Sequence, residues 1–288
     1  MPDMLTETAP AKINLALHVT GRRPDGFHNL ESLVVFAGIS DELSAVAGDG
    51  DTLNITGPFA GMLSSGQSNL VLKAVAAFRD NWPDLVPHGV ALSLAKNLPV
   101  AAGVGGGSAD AAAALRLMAS FAKTPIAFEE LVKIAGQLGA DVPVCLYSQT
   151  CLISGVGEIV QPVAELPDLH LLLANPLVPI ATADVFRRLT ERDNPALPPL
   201  PADKRAAMLA LWLADTRNDL ETAAIALVPD VGMLRDDIAK TRGCVLARMS
   251  GSGATVFGVY GTSAEAHQAA QDIRAKWPDY WVAAAPVL

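Results

Sequence analysis

The chain has 288 residues, with 21 Lys and Arg against 30 Asp and Glu for a formal net charge of −9. That length suffices for a sizeable core and two domains, while the acidic balance excludes a partner held by non-specific phosphate contacts, such as nucleic acid. Although 51% of residues are hydrophobic, much of that is alanine, and no uninterrupted apolar stretch reaches the roughly 18 residues of a membrane span.

The opening residues 1–7 have neither a basic nor an apolar leader segment, so no secretory signal is expected. Three cysteines (Cys145, Cys151 and Cys244), odd in number and without Cys-x-x-Cys spacing, suit reduced thiols in a cytoplasmic protein. The five histidines show no metal-site spacing, so metal ligands stay unassigned.

In chain order, residues 11–19 predict a half-buried strand, with Ile13, Leu15, Leu17 and Val19 in period two. Pro24-Asp25-Gly26 signals a turn and 33–36 the return strand. Residues 68–82 place Leu70, Val71, Ala74, Val75 and Phe78 on one helical face that Pro83 ends. A strand at 90–94 and a helix at 108–121 follow. Thr124-Pro125 opens another helix, with Phe128, Leu131, Val132, Ala135 and Leu138 inward and Gly139 as its stop. The short segment Leu138-Gly139-Ala140-Asp141-Val142-Pro143 reads as a turn past that helix.

Beyond about residue 160 the pattern restarts. It predicts a strand at 169–174, a helix at 182–189, an exposed four-proline loop at 195–201, and helices around 204–214, 218–227 and 230–241. Strands at 245–247 and 255–260 flank the turn Ser250-Gly251-Ser252-Gly253. Thr262-x-x-Glu265 is a capping box opening a helix that closes at Trp277-Pro278, and 280–285 is a last strand. The order predicts an α+β fold of two domains, 1–160 and 161–288, each with helices on an open, mostly antiparallel sheet.

The strongest local signal is Pro99, Val100, Ala101, Ala102, Gly103, Val104, Gly105, Gly106, Gly107, Ser108 and Ala109, between a strand and a helix. Four glycines in five positions remove Cβ atoms and permit φ > 0, so the backbone can approach a ligand closely. The unpaired amides and dipole of the helix start add an anion cradle, most often for phosphate. No Lys precedes Ser108, which rules out a Walker A loop, and Ser108 interrupts a dinucleotide-binding fingerprint. In an acidic chain the cations near such an anion must be local, and Lys12, Arg22, Arg23 and Lys96 are the candidates. Asp141, among Gly and apolar residues, needs a partner to stay ionised. Read alone, Asp141 has a turn cap as its lesser alternative, while Lys12 reads as a strand-end surface lysine and Phe27 as a core aromatic.

Five separated stretches together resemble the GHMP-type small-molecule kinases. They are Pro10-Ala11-Lys12-Ile13-Asn14-Leu15, Gly21-Arg22-Arg23-Pro24-Asp25-Gly26-Phe27-His28, the glycine loop, Leu138-Gly139-Ala140-Asp141-Val142-Pro143, and Ser250-Gly251-Ser252-Gly253-Ala254-Thr255-Val256-Phe257. The loop and the last stretch are shared across the family. The second and fourth resemble the branch acting on a cytidine-diphosphate-linked methylerythritol. The resemblance implies an N-terminal ribosomal-protein-S5-like ATP-binding domain and a C-terminal ferredoxin-like domain. It implies ATP-dependent phosphorylation of that substrate's 2-hydroxyl, with ATP and Mg²⁺ as cofactors and no nucleic-acid or membrane partner. Oligomeric state is not readable.

By the same resemblance, Asp141 is the general base and Lys12 its partner, and 99–109 hold the ATP phosphates. Phe27 stacks on the cytosine, His28 hydrogen-bonds it, and Phe186 closes the other face. Asn14, Lys96 and Thr182 contact the substrate's polar and phosphate groups, Asn69 and Leu70 border the adenine, and the Ser250 turn supports the loop. The chain departs from the family pattern at Phe27, where Tyr is frequent, at Ala109, where a second Ser is usual, and at Val104, where Leu is more common. A GHMP kinase acting on mevalonate, homoserine or a sugar, and a non-catalytic nucleotide sensor, are the alternatives. Dependence on the cytosine separates the first, and the presence of both Lys12 and Asp141 speaks against the second.

Overall fold

The structure, a computed structural model, describes residues 4–163, 166–203 and 205–288. The first three residues of the leader reading, and Lys204 at the start of one expected helix, lie outside the described residues. The chain forms two compact units, each built from separate stretches: Met1–Ala11, Ser40–Val100 and Gly105–Ser148 in the first, Lys12–Ile39, Ala101–Val104 and Gln149–Leu288 in the second. Strands β1 (Leu5–Arg22) and β2 (His28–Gly48) are long enough to contribute to both.

In the first unit, β3 (Thr52–Thr56) pairs in parallel with β4 (Gly89–Ala95), and residues 42–48 of β2 pair antiparallel with β4. Four helices complete it: α1 (Leu70–Asn81), α2 (Gly106–Phe121), α3 (Phe128–Leu138) and α4 (Val142–Tyr147). The alanine run of α2 is buried all round, the signature of a central helix. Small side chains there let α1 and α4 pack closely against it, with Phe78 of α1 fully buried.

Asn69 caps α1: its side-chain carbonyl accepts the Val71 amide at 2.9 Å. The helix after Thr124-Pro125 begins later than expected, at Phe128. Phe128, read as inward, is 38% exposed and sets its ring edge-on to Tyr147 at 4.9 Å. Gly139 closes α3 in extended backbone rather than a left-handed cap, because the chain turns at once into α4, with Val142 N donating to Gly139 O at 3.1 Å.

In the second unit, residues 32–34 of β2 pair with β5 (Cys151–Ser154), which forms a hairpin with β6 (Ile159–Pro162). Next come β7 (His170–Asn175), α5 (Thr182–Arg187), α6 (Ala206–Ala214), α7 (Glu221–Leu227) and α8 (Asp230–Ala239). The chain ends with β8 (Cys244–Met249), β9 (Val256–Tyr260), α9 (Ser263–Lys276) and β10 (Trp281–Pro286). The sheet order β10-β7-β9-β8, antiparallel throughout, is that of a β-α-β-β-α-β ferredoxin-like layer.

Helices α8 and α9 pack on this sheet, burying Leu234, Ile238, Ala269 and Ile273 with Leu172 and Val256. At α9 the Thr262 hydroxyl oxygen accepts the Glu265 amide at 3.3 Å and donates to the Glu265 carboxylate at 2.8 Å. The proline loop at 195–201 has no helix or strand. It is anchored by His18 Nδ1 donating to Pro195 O at 3.0 Å and by Trp212 Nε1 donating to Pro198 O at 3.1 Å. His18 Nε2 accepts the Arg217 amide at 3.2 Å, which fixes the tautomer. Burial first, and Arg217 second, push this imidazole below its ordinary pKa.

Candidate active site

Within the second unit, the loop residues Ala101–Val104 are stitched to the Ser250 turn and to β1. Ser250 Oγ donates to Gly103 O at 2.9 Å, Thr255 N donates to Ala102 O at 3.0 Å, and Lys12 N donates to Val104 O at 2.9 Å. Positive φ recurs at Ala101 (53°), Gly103 (72°) and Gly105 (64°). Alternating left-handed residues are the backbone pattern found in anion-binding nests. A Cβ on Gly103 would stand 2.6 Å from Ser250 O and 2.7 Å from Gly253 O, so only glycine fits.

Lys12 is buried on β1 and Asn14 lies two residues on, on the same face. The Asn14 amide donates to Ser250 Oγ at 3.1 Å and its Nδ2 to Ser32 Oγ at 2.8 Å, while its buried Oδ1 has no hydrogen-bond partner among the described residues. Burial pushes the Cys151 thiol up to about 12, against the opposing charge of Lys12, so this cysteine is no nucleophile.

The turn after β1 carries Phe27, 64% exposed, with its amide donating to Asp25 at 3.1 Å. His28 stacks on Phe186 of α5 at 5.0 Å and 25° between planes. Its Nε2 is buried without a partner among the described residues, and burial followed by the charges of Arg192 and Arg22 lowers the pKa of the ring. Thr182 Oγ1 and Ser252 Oγ are 2.8 Å apart.

In the first unit, Gly105 is the left-handed N-cap of α2, and the helix starts at Gly106 rather than at Ser108. Ala109 N is the first amide with a helical acceptor, Gly105 O at 2.8 Å, so the amides of 106–108 are the orphan donors. A Cβ on Gly107 would meet nothing within 4 Å, which leaves that face open to a ligand. Asp141 is not in a plain turn: it occupies the N-cap position of α4, with Pro143 in the first turn and no side-chain cap bond. Asn69, expected beside the adenine, spends both side-chain groups locally, on Val71 N and, at 2.7 Å, on Ser64 O.

Lys96 differs most from its expectation as a substrate contact. It is 1% exposed, with Nζ 2.6 Å from Asp41 Oδ2 and 2.5 Å from Asp110 Oδ2. Burial pulls the ammonium down, but Asp110 and Asp41 outweigh it and hold its pKa above the usual value. Asp41 and Asp110 were not singled out in the sequence, where each is a lone carboxylate in an apolar run. The same holds for Asn218, whose Nδ2 donates to Met249 O and Gly251 O at 2.8 Å each. Among the described residues no three His, Cys, Asp or Glu gather as a resident metal centre, and no helix is long and apolar enough to cross a membrane.

The two-domain α+β fold, with its glycine-rich loop and glycine turn, is that of the small-molecule kinases of the GHMP class. The descriptions "GHMP kinases N terminal domain" and "GHMP kinases C terminal" match residues 69–149 and 202–279. The 4-diphosphocytidyl-2-C-methyl-D-erythritol kinase of Chelativorans sp. (strain BNC1) is 48% identical over 96% of this chain and 94% of its own. That of Cereibacter sphaeroides (strain ATCC 17029 / ATH 2.4.9) is 49% identical over 96% and 97%. A crystal structure of 4-(cytidine 5'-diphospho)-2C-methyl-D-erythritol kinase, 32% identical, superposes with a TM-score of 0.81 over 98% of this chain and 99% of that one. The chain belongs to the 4-diphosphocytidyl-2-C-methyl-D-erythritol kinase family of GHMP kinases. A homoserine kinase from Cytophaga hutchinsonii, 18% identical with a TM-score of 0.70 over 100% and 96%, shares the fold.

Proposed function

We propose that the chain transfers the γ-phosphoryl group of MgATP to the 2-hydroxyl of 4-diphosphocytidyl-2-C-methyl-D-erythritol, giving the 2-phosphate and ADP, in the cytoplasmic synthesis of isoprenoid precursors. The observation that carries this reading is near full-length kinship with kinases named for that substrate, joined to the residues of the family's motifs in this chain. Its domains are taken as 1–160 and 161–288, with the two family matches falling on either side of that boundary.

Asp141 accepts the proton of the 2-hydroxyl, the freed oxygen pair attacks the γ-phosphorus, and ADP departs with the electrons of the broken bond. Lys12 keeps Asp141 ionised and favours the developing alkoxide. Residues 99–109 hold the phosphates through backbone amides and the Ser108 hydroxyl. Mg²⁺ bound to the nucleotide would supply neutralisation of the phosphate charge, and its shell would need only one or two oxygens of the protein.

On the acceptor side, His28 presents an Nε2 unpartnered among the described residues and suited to a cytosine edge, and its stacking on Phe186 supports a flat-ring slot that Phe27 completes. Asn14 Oδ1 is an open acceptor for a substrate hydroxyl, and Thr182 lines the same unit. The test is ADP release with MgATP and 4-diphosphocytidyl-2-C-methyl-D-erythritol, run beside the same substrate lacking its cytosine. Turnover that ignores loss of the base would overturn the substrate assignment.

A further inference from the structure

Two carboxylates share one ammonium beneath the first turn of α2. Lys96 Nζ bridges Asp41 Oδ2 at 2.6 Å and Asp110 Oδ2 at 2.5 Å, all three side chains being almost fully buried. A Cβ on Gly106, the first residue of α2, would stand 3.2 Å from Lys96 Nζ and 3.8 Å from Asp41 Oδ2. Asp41 Oδ1 is committed elsewhere, accepting the amides of Asn97 and Leu98 at 2.5 and 2.8 Å. Asp110 Oδ1, by contrast, is buried with no hydrogen-bond partner among the described residues. The cluster therefore ties β2, the end of β4 and α2 together at the base of the glycine loop, and it carries one negative charge in excess when both acids are ionised.

That excess charge sits where the helix start is read as receiving phosphates, and like charges in a low-dielectric interior repel strongly. We propose that Asp41, Lys96 and Asp110 form the positioning element of the phosphate loop and that Asp110 takes up a proton as the nucleotide binds, Oδ1 carrying it. The inference rests on the reading of 99–109 as the nucleotide site. The step balances simply: one proton moves from solvent to Asp110, and Lys96 keeps its charge on Asp41.

The charged groups facing Asp110 are Lys96 from the end of β4 and Asp41 from β2. The buried side chains of α1, α3 and α4, the helices packed on α2, include no charged group, Cys145 being the one titratable side chain among them. Burial, opposed by Lys96 and reinforced by Asp41, lifts the Asp110 carboxyl to about 7, so the protonation is accessible near neutrality.

The experiment is isothermal titration of the full chain with Mg²⁺ and adenylyl imidodiphosphate near neutral pH, in buffers of different ionisation enthalpy, which counts protons exchanged on binding. Protons from the nucleotide itself are common to all variants and cancel. At pH 7 the wild type is expected to take up about half a proton more than Asp110→Asn, rising toward one proton as the pH is raised. Its affinity should fall by up to about tenfold per pH unit above neutrality while that of Asp110→Asn stays flat. Asp41→Asn, which leaves Lys96 to one carboxylate, should lose the uptake as well and serves if the first variant does not fold. Equal proton counts in wild type and variant overturn the proposal while leaving the nucleotide site standing. No binding by the wild type overturns both.

Discussion

Ser250 and Gly103 are joined by a 2.9 Å hydrogen bond from the serine hydroxyl to the glycine carbonyl, and the same hydroxyl accepts the Asn14 amide. One side chain thus fixes the turn between β8 and β9 to the loop and to β1. Ser250→Ala strips both partners at a fully buried position, at a cost of about 1–3 kcal/mol. Chemical denaturation should record that loss, and KM for ATP should rise several-fold. No change in either would contradict a supporting role for the turn.

Two glycines of the loop should respond oppositely. At Gly103 a methyl meets backbone oxygens of Ser250 and Gly253 at φ +72°, so Gly103→Ala should destabilise the fold by at least about 1–3 kcal/mol. At Gly107 a methyl meets nothing. Gly107→Ala should keep its melting temperature and lose ATP affinity, because the added group stands on the ligand's side. Thermal melts beside nucleotide titrations separate the two, and a Gly107→Ala protein that binds ATP normally would argue against a phosphate at that turn.

Asp141→Asn is expected to lower kcat by about 10²–10⁴, the usual span for a general base, with ATP binding retained. Lys12→Met should act in the same direction. Single-turnover phosphoryl transfer measured with bound ATP is the check, and a rate near wild type in Asp141→Asn would remove it from the role of base.

Phe27 is mostly exposed, so Phe27→Ala should change stability by less than about 0.5 kcal/mol. Loss of a stacking partner worth about 0.5–1.5 kcal/mol should raise the KM for the cytidylyl substrate up to about tenfold. An effect on kcat alone would exclude stacking.

His18 should titrate below 6.5, because burial and Arg217 both oppose its protonation. With a depressed folded pKa, the unfolded chain binds the proton first. The stability contributed by neutral His18 is therefore present above 6.5 and is lost as pH falls from 6.5 toward the lowered value. A proton NMR titration of the imidazole tests the midpoint, and a value at or above 6.5 would refute it.

Much of this was legible in the sequence where a pattern is local. The strand at 90–94, the Thr262 cap and the helix beginning at Thr182 depend on neighbours a few residues away and fall where expected. Local signals fail where the partner is distant. Lys96 reads as a substrate cation because Asp41 lies 55 positions away in sequence and Asp110 lies 14 away, and no spacing rule joins them. Helix α4 is six residues long with a proline in its first turn, too short for a 3.6-residue period to register. Strand β2 extends from His28 to Gly48, but Gly38, Ser40 and Asp41 interrupt its apolar alternation, so only 33–36 stand out. The candidate site residues themselves are recognisable from motif order, whereas the buried polar groups that brace them are visible only after folding.

None of the cysteines is in a disulfide: Cys145 and Cys151 are buried and Cys244 is half-buried, with burial lifting the thiols of Cys151 and Cys244 above their ordinary pKa. Alkylating reagents attack thiolates, so burial and the raised thiol pKa values leave the native chain a low background for maleimide chemistry. A single cysteine introduced on the exposed turn at Phe27 would therefore offer the dye a preferred place, making the turn proposed to meet the acceptor observable by fluorescence without first deleting any natural residue.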